Sequence, residues 1–128
     1  MNRIRVTLLA CGLSFLAGAC VMRAQQQVTG VTRREPQFEN EDMRVWKSII
    51  MPNAPLTQHR HEHGRALIAL TDGQLKVIDQ NGKLINTYNW EKGKAYWLGV
   101  DPPGETHADV NETAQPIEVI VVELKKDR

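Results

Sequence analysis

The sequence predicts an all-β domain, a sandwich or small barrel, preceded by an export signal. Three observations carry that prediction. Short runs rich in β-branched and aromatic residues recur from Met43 to Leu124. Turns containing Gly or Pro interrupt them about every eight to twelve residues, the punctuation of sandwiches and barrels. After residue 24 no stretch carries a convincing helical period.

The 128 residues fit one domain. Basic and acidic residues are interspersed at a formal charge of +1, which gives no footprint for nucleic acid and no basic block for an anionic membrane. The N-terminus reads Met-Asn-Arg-Ile-Arg, then an apolar run from Val6 to Met22, then Arg23-Ala24. A positive start, an apolar middle and small residues at the end match a secretory signal over residues 1–24, cut after Ala19 or after Ala24. Its removal takes three arginines and no acid, so the formal charge falls from +1 to −2. The expected location is periplasmic or extracellular. Ala17-Gly18-Ala19-Cys20 also resembles a lipoprotein signal, so membrane attachment requires a lipidated Cys20 or a retained N-terminus. Both cysteines, Cys11 and Cys20, lie in this segment, so no disulfide framework is available and the core must stand on packing.

Residues 25–41 are polar and irregular and read as a flexible N-terminal arm, with a short strand near Phe38 as its one ordered option. The domain is expected over residues 42–126. Met43 to Met51 mixes polar and apolar residues as a strand and stops at Pro52-Asn53-Ala54-Pro55. Leu56 to His61 is short and extended. Arg65 to Thr71 reads as a buried strand closed by Asp72-Gly73. Gln74 to Asp79 alternates, with Leu75 and Val77 on one face. Asn81-Gly82 is a strong hairpin signal, because both residues tolerate positive φ, and Leu84 to Trp90 is the return strand. Ala95 to Leu98 is a short strand with one of Tyr96 and Trp97 facing inward. Asp101-Pro102-Pro103-Gly104 is a rigid turn. Ile117 to Leu124 closes the domain. Asn111-Glu112-Thr113 is formally a glycosylation sequon.

Three of the four histidines, His59, His61 and His63, occupy alternate positions, and His107 follows the Pro-Pro-Gly turn. On a strand, residues two apart share a face. Imidazoles gathered on one face and met by another from a distant loop are how a small β-protein collects metal ligands. A helical reading would pair His59 with His63, but Pro55 upstream and Gly64 downstream oppose it, and no H-E-x-x-H spacing is present. Arg60 and Glu62 alternate away from the histidines and read as a solvated charge pair.

These residues resemble the cupin pattern of two short motifs. His59-Arg60-His61 with Gly73 matches the first, and Pro102-x-Gly104-x-x-His107-x-x-x-Asn111 matches the second. Counting back from Gly73 puts the first motif's glutamate position at Ala66. The resemblance spans about Met43 to Leu124 and implies a single cupin-type β-barrel, a jelly-roll-like double-stranded β-helix. It also implies that His59, His61 and His107 bind a divalent metal. His63 is a fourth candidate if the strand continues through it, and lies at the barrel mouth if the chain turns at His61. Three neutral imidazoles suit Fe, Zn, Mn, Ni or Cu. A metal-free barrel with histidines lining a polar pocket is the alternative. Catalytic residues are not identified: Glu62, Glu105 and Asp109 are near in sequence, with direction undetermined. Arg65 reads as an outward charge or as a carboxylate anchor at the rim. The expected partner is a small polar molecule, acted on by a dioxygenase- or isomerase-like enzyme or simply held by a binding module. Pairing into a homodimer is the assembly reading.

Overall fold

The structure is a computed structural model that describes residues 30–126. The signal segment 1–24, with its cleavage sites and both cysteines, lies outside the described residues. Eight strands follow in order: β1 Arg33–Glu39, β2 Met43–Ile50, β3 Arg65–Ala69, β4 Gly73–Asp79, β5 Leu84–Trp90, β6 Ala95–Leu98, β7 His107–Asn111 and β8 Ile117–Leu124. They form a five-stranded sheet ordered β1-β2-β8-β3-β6 and a three-stranded sheet ordered β5-β4-β7. Every strand pair is antiparallel.

The alternation in the sequence fills the space between the sheets. β8 buries Ile117, Val119 and Val121 while the residues between them are only half-buried. Trp46 and Ile50 of β2, Leu67 and Ala69 of β3, Leu75 of β4 and Trp90 of β5 join them in one cluster. Apolar burial of this kind is the main force holding a domain without disulfides. Gly73, at the start of β4, meets the same cluster: a Cβ there would lie 2.6 Å from Ile117 Cγ1. Tyr96 packs against the core, whereas Trp97 faces out and is 63% exposed.

The arm expected over residues 25–41 differs in its described part. Arg33–Glu39 is a full edge strand paired with β2 from Arg33↔Ile49 to Glu39↔Arg44, with an irregularity between Pro36 and Phe38. Its polar sequence hid it, because an edge strand that is largely exposed needs no apolar alternation, and Pro36 is tolerated where no further strand needs its N–H. The β4–β5 hairpin forms, but not around a two-residue turn. Only Gly82 takes positive φ (79°), Gly82 N–H donates to Asp79 O at 3.0 Å, and the Asp79 carboxylate accepts from the backbone N–H of Asn81 and Lys83.

The segment between β2 and β3 belongs to no named strand, yet it runs beside β7. Asn53 N–H donates to Asn111 O, Leu56 N–H to Asp109 O, and His59 and His107 exchange both backbone hydrogen bonds at 2.9 and 2.8 Å. This pairing brings the two distant histidine regions together. Asn111 pins the other end. Its side-chain amide donates to Ile50 O and Gln115 O, and its carbonyl oxygen accepts from the N–H and hydroxyl of Thr113. The residue is fully buried, which removes it as a glycan acceptor.

Candidate metal centre

One ring nitrogen from each of His59, His61 and His107 lies within 4.8 Å of the others. The reason is local. His59 and His107 face each other across the antiparallel bridge, and their ring centroids are 4.4 Å apart. His61 follows two residues later, at 5.0 Å from His59 and 5.6 Å from His107. His61 and His107 are buried, and His59 is half-buried. The chain then bends at Glu62 and His63, so the alternation stops. His63 is not part of the group; it borders a depression on the outer surface with Arg44, Arg60 and Glu62. Arg60 and Glu62 lie 3.9 Å apart; Glu62 is exposed as expected of a solvated pair, but the Arg60 Nε is buried with no hydrogen-bond partner among the described residues.

Each ring presents Nδ1 to an oxygen. His59 Nδ1 lies 2.7 Å from Thr57 O, His61 Nδ1 bonds the Glu123 carboxylate, and His107 Nδ1 lies 3.3 Å from Asp101 Oδ2. A carbonyl or carboxylate oxygen can only accept, so Nδ1 carries the proton and Nε2 of a neutral ring keeps its lone pair. This is how proteins orient histidines that ligate metals. The Nε2 of His59 is buried, with no hydrogen-bond partner among the described residues and the Asp109 carboxylate 3.7 Å away, surroundings compatible with a cation.

Burial keeps the His59 and His107 rings neutral. Desolvation pushes His59 and His107 down to about 4, against the opposing pull of Asp109 on His59 and of Asp101 on His107. Glu123 loses water too, which raises it, but the hydrogen bond from His61 and the charges of His61 and Arg65 bring it below the ordinary carboxylate value.

The residues next to the cluster depart from sequence expectation in an informative way. β3 buries Arg65, Leu67 and Ala69 on one face and leaves Ala66 on the other. The inward position beside the histidines is therefore Arg65, one residue before the position counted from Gly73. A shift of one residue exchanges the faces of a strand. Arg65 is neither an outward charge nor free: it donates to Gly99 O at 2.9 Å and lies 3.7 Å from Asp101 Oδ1. Asp101 in turn accepts from the His61 backbone N–H at 2.6 Å. Asp101 thus ties together both histidine motifs and β3. Sequence reasoning passed over it as a turn residue, and no local signal marks the role. Of the three nearby acids, Asp109 points inward, with Oδ2 3.7 Å from His59 Nε2. Burial pushes its pKa up. Glu105 lines the cavity beside the Pro-Pro-Gly turn, and Glu62 is exposed.

A cavity of about 520 Å³ opens beside the cluster, lined by His61, His107 and Asp109 and by apolar residues such as Leu67, Val77 and Tyr88. That size suits a small organic molecule.

No family model and no curated protein matches the sequence significantly. Solved structures do match. A cupin domain from Bordetella pertussis Tohama I is 21% identical with a TM-score of 0.64, over 75% of this chain and 95% of that one. An RmlC-like cupin family protein with a double-stranded β-helix fold from Methanocaldococcus jannaschii is 12% identical with a TM-score of 0.55, over 80% and 84%. A protein with a double-stranded β-helix domain from Klebsiella pneumoniae is 20% identical with a TM-score of 0.54, over 76% and 79%. Strand order, the facing histidine motifs and these likenesses agree: the chain has the double-stranded β-helix fold of the cupin superfamily.

Proposed function

We propose that this protein is an exported cupin that binds one divalent metal through His59, His61 and His107 and uses the centre to hold or transform a small polar molecule in the adjacent cavity. The observation that carries the reading is the gathering of one ring nitrogen from each histidine within 4.8 Å, with each Nδ1 turned to an oxygen of Thr57, Glu123 or Asp101. A divalent ion at such a site would supply Lewis acidity toward a bound ligand. The chain's own residues do the rest. Glu123 and Thr57 fix ring orientation, Asp101 couples His61, His107 and Arg65, and Asp109 places a carboxylate against His59. Export rests on the charged, apolar and small-residue pattern of residues 1–24.

A non-catalytic binding module is the second reading, favoured by one feature: Arg65, a cation, occupies the inward position of β3 where an acidic ligand would strengthen a metal site. Loading the purified protein with Co²⁺ tests the metal centre. Visible absorption unlike that of aqueous cobalt, lost in His61→Ala, is the expected result. A spectrum identical to aqueous cobalt in the wild type would remove the reading.

A further inference from the structure

The cavity contains two arginines with different commitments. Arg65 is held by Gly99 O and Asp101. Arg34 reaches the same cavity from β1, the strand laid along the edge of the larger sheet. Its Cζ lies 5.0 Å from the centroid of the Trp46 ring, and that ring is stacked with His61 at 6.2 Å. Among the described residues, Arg34 makes no hydrogen bond and no ion pair. A guanidinium offers five N–H donors in a planar fork, and that of Arg34 stays accessible to an incoming acceptor, since the residue is exposed.

We propose that Arg34 anchors the carboxylate of a small organic acid, whose body lies along the apolar wall of the cavity and whose far end faces His61 and His107. The fork matches a carboxylate in bidentate fashion, and stacking on Trp46 presets its plane. Ile85, Tyr88 and Leu98 give the cavity an apolar side that favours an organic body over an inorganic anion. Competing internal acids are accounted for. Glu123 is bonded to His61, and Asp101 is shared by Arg65, His61 and His107. Asp109 acts on Arg34 through its charge but makes no ion pair with it, its Oδ2 lying 3.7 Å from His59 Nε2, and Glu105 lines the wall beside Pro102.

The inference deepens the metal reading, since the ligand's far end would meet the metal, but the Arg34 contact stands apart from it. Calorimetric titration of the Zn²⁺-loaded protein with succinate tests it, with succinamide as neutral counterpart and inorganic phosphate as simple anion. The expected result is succinate binding, weakened at least about tenfold in Arg34→Met and partly restored in Arg34→Lys. Succinamide and phosphate should bind far more weakly. Succinate binding unchanged in Arg34→Met, equalled by succinamide or phosphate, or absent from the wild type overturns the proposal. Metal content measured on the same samples separates the two readings. A wild type without metal removes the metal reading, while succinate binding lost on Arg34→Met in that protein still supports the anchor. Arg34 lies on an exposed strand, and melting curves for each variant verify that it is folded.

Discussion

Each imidazole of the cluster is held by a different piece of the chain: His59 by Thr57 just before it, His61 by Glu123 of β8, and His107 by Asp101 of the β6–β7 turn. Glu123→Ala should free the His61 ring to rotate and lower metal affinity by about 10- to 100-fold, read by competition with a calibrated chelator. Unchanged affinity would mean that the Glu123 contact does not orient His61 toward a metal. The same burial sets a pH dependence. His59 and His107 sit at about 4 in the folded chain, below the ~6.5 of an unfolded one. Between those values the unfolded chain binds more protons, so stability is complete above about pH 6.5 and is lost as pH falls toward 4. Metal-free protein should lose on the order of a few kcal/mol across that window. Thermal melts from pH 7.5 to 4 check this, and a flat profile contradicts it.

At the scale of elements, two buried contacts fix how the sheets meet. Gly73→Ala would push a Cβ against Ile117, which is fully buried and cannot move aside, at about 1–3 kcal/mol. Asn111→Ala would strand Ile50 O and loosen the segment that carries His59, at roughly 2–4 kcal/mol. Denaturant unfolding measures both. Elements with alternating burial were readable from sequence: β6 and β8 match their expected spans, because burial imposes alternation on the residues themselves, while β5 matches as the return strand of the Asn81-Gly82 hairpin although its burial does not alternate. β1 was not readable, since an exposed edge strand leaves no such mark. β7 was recognised by its His107–Asn111 motif rather than as a strand. Arg65 shows a sharper limit. Counting from Gly73 pointed to Ala66, but β3 buries Arg65, Leu67 and Ala69 on one face, and a count along the chain does not carry which face meets the opposite sheet.

At the scale of the molecule, the double-stranded β-helix brings residues some fifty positions apart to one end of the barrel. The histidine trio was legible because its spacing is local within each motif. The residues that orient it, Glu123 and Asp101, and those that share its cavity, Arg34 and Asp109, depend on cross-strand neighbours that no single stretch encodes. The central claim is a metal held by three histidines. The most direct measurement is metal content by mass spectrometry, with stoichiometry, on protein purified without chelators or metal-affinity steps and compared with His59→Ala, His61→Ala and His107→Ala. The expected result is close to one divalent ion per chain in the wild type and a large loss in each folded variant, with His63→Ala unaffected. A wild type that holds no metal, even after reconstitution, or variants that retain it in full, would contradict the account.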